Sequence, residues 1–175
     1  MVIRPALAGD LDDVADVYAH YVRSTVVTFD EAPPGPDLWL RRLDELTGRG
    51  LPFLVADVDG ELAGYAHASP WRPKPAYRFT AEDTIYLAPR WTGKGLGRLL
   101  LGDLLEGCAR AGMRQVVAVI ADPDGNAASV ALHRAFGFAS AGRLTAVGYK
   151  HGRWVDTELL QRELGAPVRP PVTAR

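Results

Sequence analysis

Apolar positions along the chain recur first at the spacing of a helix, then at that of strands. After a short apolar opening at Val2-Ile3, the residues Leu11, Val14, Tyr18, Tyr21 and Val22 fall on one helical stripe, with Asp10 where an N-cap belongs. Ser24 to Pro36 carries Phe29 and three prolines, which exclude a helix interior and predict an ordered loop. Trp39, Leu43 and Leu46 mark a second helix from about Asp37 to Leu46, ended by Gly48. Two strand-like runs, Phe53 to Val58 and Glu61 to Ser69, flank Asp59-Gly60, a pair that tolerates the positive φ of a tight hairpin.

A polar loop with Trp71, Arg72, Lys74, Tyr77 and Arg78 leads to the apolar strand Thr84 to Ala88, closed by Pro89. Leucines at 96, 99, 100, 101, 104 and 105 predict a largely buried helix from Gly95 to Arg110, stopped by Gly112. Gln115 to Ala121 reads as a core strand. Asn126 is placed to cap a short helix through Phe136, and Arg143 to Lys150 with Trp154 to Leu164 form a closing strand pair. This order predicts an α/β fold with a mixed sheet in a single domain, residues 1–165, followed by a proline-rich tail at 166–175.

Composition narrows the picture little. A chain of 175 residues, 47% apolar, buries one core, and 20 Lys plus Arg against 21 Asp plus Glu give a net charge of −1. No overall field recruits nucleic acid or an anionic membrane surface. The start Met1-Val2-Ile3-Arg4-Pro5 lacks the features of a signal peptide, and no apolar stretch approaches the ~20 residues of a membrane span, so cytoplasmic residence is expected. The lone Cys108 excludes an intramolecular disulfide and reads as a small core residue. No metal site is expected.

Candidate chemistry concentrates after the Pro89 strand. Glycines at 93, 95 and 97 in Arg90-Trp91-Thr92-Gly93-Lys94-Gly95-Leu96-Gly97 sit between a strand and a helix, so several N–H groups converge at a positive helix terminus. Lys94 and Arg98 add charge, and the arrangement suits a pyrophosphate. The turn does not satisfy the Walker pattern and falls mid-chain after a hairpin, which disfavours a kinase or a dinucleotide oxidoreductase.

The segment Arg90 to Gly95 resembles the Q/R-x-x-G-x-G/A pyrophosphate motif of the GNAT acetyltransferases. Asn126-Ala127-Ala128-Ser129-Val130-Ala131-Leu132-His133-Arg134-Ala135-Phe136-Gly137-Phe138 is similar to that family's N-x-x-A-x-x-L-Y-x-x-x-G-F segment. Within the family the chain most resembles phosphinothricin and methionine sulfoximine N-acetyltransferases, through Ser24 to Phe29, Phe79 to Tyr86 and Gly148 to Trp154. The resemblance implies a GNAT fold, with a mixed, mostly antiparallel central sheet flanked by about four helices, and acetyl-CoA as cosubstrate.

The resemblance also implies roles. Arg90, Gly93, Lys94, Gly95, Leu96, Gly97 and Arg98, with Asn126, would hold the coenzyme, while Ile85, Tyr86 and Leu87 would bind its pantetheine arm through backbone groups. Glu82 would be the general base, with Asp83 competing for that role, and His133 stands where many members carry the tyrosine that protonates the leaving thiolate. Arg72 and Tyr77 are candidates for recognising an acidic amino-acid analogue, since guanidinium pairs bidentately with carboxylate or phosphinate, and Phe29 for closing the pocket. The expected partner is a small amine, and a homodimer is implied. Acetylation of aminoglycosides, polyamines or protein amino termini, a non-catalytic acyl-CoA-binding module, and an interaction domain are the alternatives.

Overall fold

A computed structural model describes residues 1–165; the expected tail lies outside the described residues. β1 (Val2–Pro5) is followed by α1 (Leu11–Ser24), α2 (Pro36–Gly48), β2 (Phe53–Val58), β3 (Glu61–Pro70) and β4 (Thr80–Leu87). Then come α3 (Leu96–Arg110), β5 (Gln115–Ala121), α4 (Ala127–Ala135), β6 (Ala139–Lys150) and β7 (Arg153–Glu163). The seven strands form one sheet in the order β1-β2-β3-β4-β5-β7-β6. Among the described residues, only β4 and β5 run parallel. The mixed, mostly antiparallel sheet with four helices is the expected fold.

Strand alternation sorts the side chains into two layers. Phe53, Val55 and Tyr65 face one way and pack with Val14, Tyr18 and Val22 of α1 and Trp39 and Leu46 of α2. Ala56, Ala66, Ala68 and Ala81 face the other way, and their small side chains let Leu100, Leu101, Leu104 and Cys108 of α3 lie against the sheet. Cys108 is fully buried, as expected. At the β2–β3 turn Asp59 and Gly60 take positive φ, 56° and 86°.

Several boundaries differ from expectation. β4 begins at Thr80 rather than Thr84, because the polar Glu82 and Asp83 interrupt the apolar run inside a central strand that pairs on both sides. β6 begins at Ala139 rather than Arg143, and register shifts at 140–142 and 144–148 hide its alternation. Asp10 and Asn126 occupy N-cap positions, but neither side chain makes the capping bond. Asp10 instead binds the Arg4 guanidinium (2.7 Å) and accepts the Leu7 N–H (2.7 Å), which ties β1 to α1.

The feature that shapes the site is a split in the sheet. β4 and β5 pair only from Thr80 to Asp83 and from Gln115 to Ala118, yet they continue unpaired to Leu87 and Ala121. Beyond Asp83 a wedge opens between them.

Candidate active site

The backbone of β4 determines what faces the wedge. Ala88 N–H donates to the Ala63 carbonyl (2.9 Å), so even-numbered residues of β4 turn their backbone groups toward β3 and odd-numbered ones toward β5. Ile85 and Leu87 therefore present main-chain groups to the wedge; the Leu87 carbonyl already accepts the Tyr21 hydroxyl (2.6 Å). The expected pantetheine contact is corrected at Tyr86. Its backbone pairs with Tyr65, and it lines the cleft with its ring, which packs on Tyr18 and Tyr21 at 5.2 and 5.0 Å.

The glycine-rich turn follows directly. Gly93 and Gly95 take φ of +73° and +83°, which a side chain would strain. Among the described residues, the N–H groups of 93 to 97 have no partner, and they gather at the start of α3. An anion meets both hydrogen-bond donors and the positive end of the helix there. The Lys94 ammonium lies 4.3 Å from the Trp91 ring centroid and the Arg98 guanidinium 5.3 Å from that of Phe136, both at this surface.

Arg90 departs from expectation. Its Nε donates to the Glu61 carboxylate (2.6 Å), as does the Trp91 indole (2.5 Å), and these bonds hold Glu61 below the usual carboxylate range. Arg90 thus fastens the turn to the β2–β3 hairpin instead of facing the anion site.

A cleft of about 790 Å³ passes through the wedge. On the α1/α2 side it is lined by Phe29 of the α1–α2 loop, Arg72, Glu82 and Tyr86; on the α3/α4 side by Asn126, Ser129 and His133. Tyr77 does not line it; it is exposed in a short turn, because the β3–β4 connection carries it outward.

The neighbouring carboxylates 82 and 83 are set apart by alternation. Glu82 is half-buried with no hydrogen-bond partner among the described residues, and burial, reinforced by the Asp83 charge, pushes its pKa up against a smaller opposing effect of Arg72. Asp83 faces the opposite layer, buried, and binds His133 Nε2 (2.8 Å). His133 Nδ1 lies 2.7 Å from the Ser129 carbonyl, which only accepts, so Nδ1 carries a hydrogen. Burial lowers the His133 pKa, but the bond and charge of Asp83, with the Ser129 carbonyl, outweigh it and raise the value overall. Both ring nitrogens are thus engaged, which no sequence spacing foretells across 50 positions.

The α1–α2 loop is fastened at three points. The Tyr18 hydroxyl bonds Thr28 Oγ1 (2.6 Å) and Asp30 (2.7 Å), and the buried Lys150 ammonium donates to the Thr28 carbonyl (2.8 Å). The Phe29 ring lies on Gly148, where a Cβ would overlap it.

Residues 14–138 match the model of the acetyltransferase (GNAT) family. The chain is 46% identical to a phosphinothricin N-acetyltransferase of Alcaligenes faecalis over 94% of its own length and 83% of the relative's. It is 39% identical to an L-methionine sulfoximine/L-methionine sulfone acetyltransferase of Pseudomonas paraeruginosa, covering 93% of this chain and 94% of that one. Among solved structures it resembles a GNAT superfamily phosphinothricin acetyltransferase from Sinorhizobium meliloti in complex with AcCoA, with TM-score 0.90, 42% identity and coverage of 98% and 96%.

Proposed function

The chain belongs to the acetyltransferase (GNAT) family and is an acetyl-CoA-dependent N-acetyltransferase, and on that premise we propose how it acts and on what. The substrate is a small amino-acid-like amine such as phosphinothricin, methionine sulfoximine or methionine sulfone, acetylated on its α-amine by direct attack. The names of the relatives support that substrate class.

The single observation that carries the reading is the through-sheet cleft. It has the unpaired Glu82 carboxylate on one side and Asn126, Ser129 and His133 on the other, and the glycine-rich turn follows the end of β4, the strand that forms one wall. Residues 93–97 would hold the pyrophosphate through backbone N–H groups, with Lys94 and Arg98 adding charge and Asn126 lining the path. Ile85 and Leu87 would hold the pantetheine arm in the wedge. Bound acetyl-CoA supplies the acetyl thioester.

Glu82 takes a proton from the substrate ammonium, directly or through water, and its raised pKa fits a base working against an amine. A free N–H of β4 polarises the carbonyl to be attacked. His133, whose charged form Asp83 and the Ser129 carbonyl favour, would stabilise the departing thiolate by its positive charge, since both of its ring nitrogens are already engaged. Arg72 pairs with the substrate carboxylate, and Phe29 closes the cleft above it.

We also propose a homodimer, supported by exposed apolar side chains on β6 and β7, and a cytoplasmic location, supported by dependence on acetyl-CoA. Among the described residues no helix is long and apolar enough to cross a membrane.

Steady-state assays with acetyl-CoA and a panel of amines test the function. Amino-acid analogues should be acetylated, and aminoglycosides, polyamines and peptide amino termini should not. Glu82→Gln is expected to lower kcat by about 10²- to 10⁴-fold with little change in calorimetric CoA affinity. Loss of CoA binding in that variant would remove Glu82 from the catalytic role.

A further inference from the structure

The amine half of the cleft has a wall that the acid–base chemistry leaves unused. Arg42, on α2, lines the cleft, and its guanidinium has no ion pair or hydrogen bond among the described residues. It lies over the Trp39 ring, 5.1 Å from the centroid, and Trp39 is fully buried, so the platform beneath the charge is fixed.

Beside it on β3 stand Tyr65 and His67, which also line the cleft at 0% and 3% exposure. The Tyr65 hydroxyl and both His67 nitrogens have no hydrogen-bond partner among the described residues. Buried polar atoms are nearly always paired, so a wall with three of them next to an unpaired guanidinium is short of a polar partner.

The charges around this wall favour an anion. Burial pushes His67 down to about 3, an effect the Arg42 charge adds to, so the imidazole is neutral and does not add to the positive charge. Glu45, on the same helix, is taken by Arg49 (3.1 Å), and Asp30, across the cleft, by the Tyr18 hydroxyl (2.7 Å). Arg72 belongs to a different region of the cleft, near enough to Glu82 to lower its pKa.

We propose that Arg42, with the Tyr65 hydroxyl beside it, is a second anion subsite that takes a negatively charged group at the far end of the substrate's side chain. The inference rests on the amino-acid reading above, in which Arg72 holds the α-carboxylate and Glu82 faces the amine. It narrows the preferred substrate to amino acids bearing a second anion, such as a phosphinate or carboxylate, a few bonds beyond the α-carbon. Compounds of similar length with an uncharged end, such as a sulfone, fill the same space without the ion pair.

Arg42→Gln tests this in steady-state assays at saturating acetyl-CoA, with phosphinothricin, whose distal phosphinate is charged, and methionine sulfone, whose distal group is not. The ratio of kcat/KM for phosphinothricin over the sulfone should fall by about 10- to 100-fold, chiefly through the KM of phosphinothricin. Arg42→Lys should restore part of the ratio. Tyr65→Phe, which keeps the ring, should lower it by a smaller factor and reads the same quantity should Arg42→Gln not fold. A ratio unchanged in all three variants overturns the subsite and leaves the amino-acid reading standing. Parent protein that acetylates neither compound overturns that reading, and the subsite with it.

Discussion

Glu82 and Asp83 differ by one methylene and one position, and alternation alone gives them opposite surroundings. Asp83 is closed off with His133, whereas Glu82 faces the amine half of the cleft with its proton affinity raised. The acid limb of the kcat/KM profile should therefore lie above the ordinary glutamate value near 4.5, with activity falling as pH drops through the raised value. Stability should respond in the opposite sense. A carboxyl whose folded pKa exceeds its unfolded one contributes stability below the unfolded value and loses it as pH rises through the folded value. At neutral pH the ionised side chain destabilises the fold, so Glu82→Gln is expected to melt above the parent there and level with it below about pH 4.5, as thermal scans across pH would read. A Glu82→Gln protein melting well below the parent at neutral pH would mean that the carboxylate is a structural contact. That the two carboxylates face opposite sides of the sheet was legible from the period-2 pattern; the Asp83–His133 pairing was not, because β4 and α4 meet only through tertiary packing.

At the level of elements, helices with a clean 3.6-residue stripe and the Asp59-Gly60 hairpin were readable to within about two residues. Strand ends were harder where function places polar residues inside a strand, as at Glu82 and Asp83, or where bulges break the period, as in β6. The α1–α2 loop shows how distant pieces share one task. Gly148 and Lys150, in the strand that ends the site, hold Thr28 and Phe29 across more than a hundred residues of chain. Gly148→Ala should push the half-exposed Phe29 ring toward solvent; since the ring has room to swing, the effect belongs in a raised amine KM with little change in Tm. Lys150→Met leaves the Thr28 carbonyl unpaired and should lower stability by about 1–3 kcal/mol as well as raising KM, measured by denaturant unfolding and kinetics. Unchanged amine KM in both variants would separate the loop from substrate binding.

For the whole molecule, the seven strands expose their apolar side chains unevenly. Leu144, Val147, Tyr149 and Trp154 are 46%, 53%, 57% and 66% exposed, all on β6 and β7 at one margin of the sheet. Light scattering coupled to size exclusion should give twice the chain mass, and Val147→Asp with Trp154→Asp should shift it toward the monomer. A parent that elutes as a monomer at micromolar concentration would remove the dimer. The other large-scale feature is the split between β4 and β5, where four paired residues on each strand join a half-sheet built from β1 to β4 to one built from β5 to β7. The two halves are nevertheless bound by one core, in which Ala66 and Ala81 of the first and Val116, Ala118 and Leu160 of the second pack with Leu100, Leu101 and Leu104 of α3. A cosubstrate seated in the gap would act as a keystone: besides delivering its acetyl group, it would fill the place in the sheet where β4 and β5 part, between Glu82 on one side and His133 on the other.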